Sequence, residues 1–371
     1  MFKICIVLIC FLTSLSFTFA NDGGYNGSGE TLFPIHEDIV SLKKEVLTIT
    51  KRGLYAYVDV YYELYNPGKE KEIIVGFEAE CPSGGVDHHP ASNGGHPYMD
   101  KFSVIANNKK LNYTINYILS DESLDSNQRS ISLKKLLQYF NNNEEFNQFM
   151  YVYTFKMRFK KGKNIINHRY RYELSTAVDI VYSFSYNLEP ANRWANKQID
   201  DFTLILDLGN DEAVQLSLGT DTIEYIDLTE QQRQQIRFTG DGYLASVSND
   251  STDYWPRGGF LENVFIRHGK MIYNQKNFKP PKSLRFVSFA PHLYERNEES
   301  FKYFIPFSKS AWFYFIENSY HLNGEIESEV FCKEIMKNIP LARKGYEFKD
   351  EYFNELFSKH TNWYRPKEKN K

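Results

Sequence analysis

Leu54-Tyr55-Ala56-Tyr57-Val58-Asp59-Val60-Tyr61-Tyr62-Glu63-Leu64-Tyr65 changes character at almost every step. Leu54, Ala56, Val58, Val60, Tyr62 and Leu64 share one face; Tyr55, Tyr57, Asp59, Tyr61, Glu63 and Tyr65 share the other. Side chains on an extended backbone alternate sides, so this period of two predicts a half-buried strand. Asn66-Pro67-Gly68 then turns the chain.

The pattern repeats outward from this stretch. Ile73, Val75, Phe77 and Ala79 form the next apolar row, and Phe149, Tyr151, Tyr153, Phe155, Met157 and Phe159 a later one. Further rows are Ile166, His168, Tyr170, Tyr172 and Leu174; Ile180, Tyr182, Phe184, Tyr186 and Leu188; and Phe202, Leu204, Leu206 and Leu208. Lys161-Gly162-Lys163-Asn164 and Arg267-His268-Gly269-Lys270 read as hairpin turns. Strands separated by turn signals every ten or so residues predict a mainly β fold: an antiparallel β-sandwich region, one elaborated or two tandem. One helix interrupts it, capped by Ser132 and carrying Leu133, Leu136, Leu137 and Phe140 at helical spacing. The alternation fades after Pro291, and from Glu325 the pattern becomes that of a small C-terminal α-helical domain. The expected organisation is a signal peptide over 1–20, a first β unit with the helical insertion over 21–190, a second β unit and linker over 191–318, and the helical domain over 319–371.

The first twenty residues have the order of a secretory signal: Lys3, an apolar run from Ile4 to Phe17, and small residues closing at Ala20. The run is shorter than the roughly 20 residues that span a bilayer, so cleavage and a secreted or periplasmic location are expected. Residues 21–30, rich in Gly, Asn and Ser, are expected to be flexible. No transmembrane segment is expected after cleavage. A formal net charge of -3 without a basic stripe gives no footprint for nucleic acid. Of four cysteines, Cys5 and Cys10 leave with the signal. Cys81 and Cys332 remain, as a disulfide candidate or as two buried thiols.

Two regions resemble known families. Lys337-Asn338-Ile339-Pro340-Leu341-Ala342-Arg343-Lys344-Gly345-Tyr346, followed by Tyr352-Phe353 and Asn362-Trp363-Tyr364-Arg365-Pro366, resembles the YARHG domain, a bacterial extracellular module. Leu341 stands where that family has an aromatic residue and Lys344 where it has a histidine. The resemblance implies a surface context and envelope binding. Independently of it, Gly345 falls where a helix needs a left-handed residue to stop. Tyr346, Phe348, Tyr352, Phe353 and Trp363 read as a small core, with Arg343 and Trp363 as an alternative ligand site. The β region resembles an uncharacterised family of exported β-rich bacterial proteins. That resemblance rests on Gly27-Ser28-Gly29-Glu30-Thr31-Leu32, Ile39-Val40-Ser41-Leu42-Lys43-Lys44-Glu45, Val75-Gly76-Phe77-Glu78 and Arg193-Trp194-Ala195-Asn196-Lys197-Gln198-Ile199-Asp200-Asp201-Phe202.

Chemistry-bearing clusters are few. Asp87-His88-His89, with His96 and Asp100 following, carries ligand types that suit zinc, but adjacent histidines point apart on an extended chain and the segment, rich in Gly, Ser, Pro and Asn, reads first as a mobile polar loop. His168 lies on an apolar face and reads as a core histidine. No serine-nucleophile elbow, P-loop or dinucleotide fingerprint is present, and no cofactor is expected. Tyr55, Tyr57, Tyr61 and Tyr65 make a stripe on the polar face of one strand, either covered by another layer or open as a binding surface. The leading reading is non-enzymatic binding of a cell-wall glycan or envelope protein through aromatic surface. The alternatives are a hydrolase using a carboxylate pair or a metal site at His88, His89 and His96, and a structural or assembly module.

Overall fold

The computed structural model describes residues 20–28, 31–34, 37–80, 87–119, 129–142, 149–177, 180–218, 228–244, 263–280, 283–289, 310, 337–338, 341–342, 344–360, 364 and 366, with backbone alone for 20–34. The strands are β1 (Ala20–Ser28), β2 (Thr31–Pro34), β3 (Ser41–Arg52), β4 (Tyr55–Asn66), β5 (Lys71–Glu80), β6 (Met99–Ala106), β7 (Lys109–Leu111), β8 (Thr114–Leu119), β9 (Ser130–Ile131) and β10 (Phe149–Phe159). They continue as β11 (Gly162–Glu173), β12 (Ser175–Ala177), β13 (Ile180–Asn187), β14 (Ile199–Asp207), β15 (Glu212–Leu218), β16 (Ile236–Phe238), β17 (Gly242–Leu244), β18 (Val264–Ile266), β19 (Met271–Phe278) and β20 (Ser283–Phe289). Helices α1 (Leu133–Asn142), α2 (Glu230–Gln234) and α3 (Glu351–His360) are described whole, and no described helix is long and apolar enough to cross a membrane.

The fold is mainly β, as the alternation predicts. An eight-stranded sheet runs β16-β19-β14-β3-β4-β11-β6-β7. Two six-stranded sheets, β2-β1-β5-β10-β8-β9 and β12-β13-β20-β15-β18-β17, pack on its inner face. Phe77 of the first meets Phe102 and Tyr170 of the large sheet, each with ring centres 5.1 Å apart. From the other small sheet, Phe184 meets Tyr172 at 5.8 Å, and the Tyr186 hydroxyl bonds Tyr62 at 2.9 Å and Glu45 at 3.2 Å. Ala56, Val58, Val60, Tyr62 and Leu64 are buried in this interlayer core, while Leu54, expected on the same face, is 58% exposed in the preceding turn. On β13 the burial extends to both faces. Ser183, Ser185 and Asn187 are inside along with its aromatic row.

Three expectations are corrected. Neither hairpin forms: β10 and β11 lie in different layers, as do β18 and β19. Lys161–Asn164 and Arg267–Lys270 instead carry the chain from one sheet to the other. At the first crossing the fully buried Asn164 replaces a strand partner. Its side chain accepts from the Lys160 N–H at 3.0 Å and donates to the carbonyls of Lys160 at 2.8 Å and Gly162 at 3.0 Å. Asn164→Ala is expected to cost about 1–2 kcal/mol in urea denaturation, since it removes the side-chain bonds that close the arch; a cost below about 0.5 kcal/mol would mean the arch closes without it. The segment expected to be flexible, 21–30, is largely strand: β1 pairs with β5 from Ala20↔Ala79 to Tyr25↔Ile74. Finally, the boundary expected near Pro190 is crossed by the large sheet, where β14 runs parallel to β3.

That crossing joins the stretches behind the β-region resemblance. Arg193 forms an ion pair with the buried Glu78, and Asn196 bonds the Leu42 backbone through its oxygen at 3.0 Å and its nitrogen at 2.8 Å. Lys43 pairs with Asp200 at 2.7 Å and Lys44 with Asp201 at 3.4 Å. At the insertion only Leu136 and Phe140 of α1 are buried; Leu133 and Leu137 face out, because the helix meets the sheet edge along a narrow stripe. In the C-terminal module Gly345 takes φ +74° and ends its turn as expected. Its core is Phe348, Phe353, Phe357 and Tyr364, whereas Tyr346 and Tyr352 are exposed.

Candidate functional site

β4 sits near the middle of the large sheet, with β3 on one side and β11 on the other. Its inward residues are held by the two smaller sheets, which turns Tyr55, Tyr57, Asp59, Tyr61, Glu63 and Tyr65 outward. Tyr55, Tyr57 and Tyr61 are half-buried by neighbours in their own sheet, and Tyr65 is 44% exposed. The stripe is thus open to solvent, and at ~3.4 Å per residue it runs about 34 Å along the strand.

Charged pairs interleave with the rings. Asp59 pairs with Arg169 and Glu63 with Lys163, while Asp100 of β6 accepts both arms of the Arg171 guanidinium fork. Asp100 raises the Arg171 pKa, holding it firmly charged. Exposed and screened by water, these pairs add little to stability. They set ring positions as well: the Arg171 guanidinium lies 4.3 Å from the Tyr55 ring centre. Arg52 and Lys101 lie 5.5 and 5.8 Å from the ring centre of Tyr57.

The histidine segment is partly buried, and its three histidines do not come together. His96 is fully buried; its Nε2 donates to the Glu80 carbonyl at 3.0 Å and its Nδ1 accepts from the Tyr98 N–H at 3.1 Å. Both ring nitrogens are therefore committed, and burial pushes its pKa down to about 3, leaving the ring neutral. His89 rests on Phe140 at 4.7 Å with its Nδ1 3.0 Å from Asp87, and His88 is buried apart from it. Among the described residues no three His, Cys, Asp or Glu side chains converge as metal ligands. The loop is pinned at Gly94, whose carbonyl accepts from the Tyr117 hydroxyl at 2.7 Å. Gly94 has φ +78°, and a β-carbon there would lie 2.6 Å from that hydroxyl, so only glycine fits. His168 is in the core, ringed by Tyr62, Phe77, Phe102 and Phe155.

Beside this loop is a cleft of about 760 Å³, lined by Asn93, Tyr113, Asn116, Tyr117, Ser130 and Leu133 among others. Its volume is in the small-ligand range, and its described lining carries no lysine, arginine, aspartate or glutamate. Strand, loop and helix start supply it from distant positions, so no local spacing in the sequence announces it. Cys81, Cys332, Arg343 and Trp363 lie outside the described residues, as does the signal segment up to residue 19.

No protein-family model matches the chain, so the two resemblances rest on their quoted residues alone. No curated protein matches it either. Among solved structures, a "putative nutrient binding protein" from Legionella pneumophila overlays with a TM-score of 0.48 and 16% identity, over 96% of this chain and 94% of that one. A "putative protease" from Parabacteroides distasonis overlays with a TM-score of 0.26 and 6% identity, over 86% of this chain and 49% of that one. Neither likeness is close enough to assign an activity.

Proposed function

We propose that this chain is an exported cell-envelope protein that binds a cell-wall glycan without chemical turnover, laid along the tyrosine row of β4. The observation that carries the reading is the open outer face: four tyrosines of one strand, on a row of about 34 Å, reach solvent between hydrogen-bonding charged groups. Aromatic faces stack on the apolar faces of sugar rings, and flanking polar groups take the hydroxyls. Tyr61 and Tyr65 are the stacking platforms, since cations already lie over the rings of Tyr55 and Tyr57. The signal-like N-terminus and the YARHG resemblance support the location. The metal-hydrolase alternative loses its support in the bonds that His96 already makes.

Co-sedimentation with purified peptidoglycan tests the reading. The protein is expected to be retained, and Tyr61→Ala with Tyr65→Ala to weaken retention at least tenfold. Two lost ring contacts of about 0.5–1.5 kcal/mol each sum to about 1–3 kcal/mol, and the middle of that range, about 2 kcal/mol, exceeds the roughly 1.4 kcal/mol of a tenfold loss. Both side chains reach solvent, so the melting temperature should hold. No retention, or retention indifferent to both changes, removes the glycan reading in favour of a protein partner.

A further inference from the structure

We infer that the Tyr55–Tyr57 end of this face is a charge clamp that selects an acidic polysaccharide, with Arg52 and Lys101 taking its anionic groups on either side of Tyr57. The inference rests on the glycan reading above and adds the class of sugar.

The starting point is the backbone at Lys101. Its φ of +56° is one that residues other than Gly, Asn and Asp seldom adopt. The cause is a β-bulge. Arg171 pairs with Asp100 and Arg169 with Ser103, so Lys101 and Phe102 together oppose the single residue Tyr170. Bulges insert one extra residue and re-aim side chains. Here Met99 and Phe102 point into the core, while the two consecutive residues between them, Asp100 and Lys101, are both exposed. Asp100 is taken up by Arg171. The extra residue is the lysine, and its ammonium reaches across β11 to the Tyr57 ring. A glycine would occupy this bulge without strain, so the observed residue is costly to the fold and is explained by what its side chain does.

The second observation is charge. Lys43, Lys44, Lys163, Arg169 and Arg171 on the same sheet each have a carboxylate partner. Among the described residues Arg52 and Lys101 have none. They approach Tyr57 from opposite sides of β4, Arg52 from β3 and Lys101 from β6. Two cations near one ring give this end of the face a positive potential that an anion would neutralise. The carboxylates at this end are Asp100, engaged by Arg171, Asp59, engaged by Arg169, and Glu173, which pairs in register with Tyr55 on β11. Arg52, Lys101, Arg169 and Arg171 outnumber them by one. The tyrosine row continuing down β4 favours a linear saccharide over a small anion, because Tyr61 and Tyr65 offer further rings in line.

The test is calorimetric titration of the purified protein with polygalacturonate oligomers and with uncharged dextran oligomers, at low and high salt. Polygalacturonate is expected to bind at least tenfold more tightly than dextran, and added salt should narrow the gap. Lys101→Gly should lower polygalacturonate affinity about fivefold while raising the melting temperature by roughly 2 °C through relief of the backbone. Arg52→Gln should lower affinity similarly without the thermal gain. A lysine kept only for structure would not move the ratio between the two probes. Equal binding of both probes, indifferent to Arg52 and Lys101, overturns the clamp and leaves the glycan reading standing. No binding to either probe or to peptidoglycan overturns both. Polyglutamate binding as tightly, with the same dependence on Arg52 and Lys101, overturns the assignment to a saccharide.

Discussion

Lys51→Met is expected to destabilise the protein by about 3–5 kcal/mol, the cost of leaving one partner of a buried ion pair alone. Lys51 ends the inward row of β3, and its ammonium lies 3.5 Å from the Glu212 carboxylate of β15, with side chains only 9% and 5% exposed. Glu212 also accepts from the Tyr182 hydroxyl at 2.8 Å and from the Ser310 hydroxyl at 2.6 Å. The ammonium sits 4.6 Å from the centre of the Tyr182 ring. This polar knot joins the large sheet to one of the sheets packed on it. Removing its cation forces the carboxylate either to stay charged without a counter-ion or to take up a proton. Adding Glu212→Gln to Lys51→Met should therefore recover part of the loss. Urea denaturation of the two single variants and the double variant measures the coupling. Strictly additive losses would show that the pair does not interact.

Between pH 7 and pH 5 the protein should lose about 2 kcal/mol of stability through His96 alone. The ordinary histidine value is 6.5, and burial holds His96 near 3 in the folded chain. Between those values the unfolded state binds the proton and the folded state does not, so stability falls as pH falls. Above about 6.5 the ring is neutral in both states and the contribution is flat. Below about 3 it is charged in both and no more is lost. One pKa unit is worth about 1.4 kcal/mol, which sets the slope. Glutamine can reproduce the acceptor and the donor that the ring supplies to Tyr98 and Glu80. In His96→Gln the loss between pH 7 and 5 should shrink by about 2 kcal/mol. Identical pH dependence in the two proteins would mean that His96 takes up its proton inside the fold.

The candidate surface was half legible from residues alone. The stripe Tyr55, Tyr57, Tyr61 and Tyr65 follows from parity along one strand, but parity says nothing about a covering layer. Both smaller sheets choose the inner face of the large sheet, and this leaves the tyrosines open. Lys101 carries no sequence signal: the bulge that turns it outward comes from a register shift between β6 and β11. The histidine segment looked like ligands because residue types near one another in sequence suggest coordination. The fold spends both His96 nitrogens on backbone groups instead.

Alternation along the chain, by itself, determined that most of this protein is sheet and which side chains of β4, β5, β10 and β11 face the core, because a strand's two faces are set by local geometry. Pairing was decided only in three dimensions. The turns at Lys161–Asn164 and Arg267–Lys270 have hairpin residues, yet each connects different layers. The parallel contact of β14 with β3 joins positions more than a hundred and fifty residues apart. Which strands become neighbours depends on how all the apolar faces are buried at once, and no local stretch of residues contains that information.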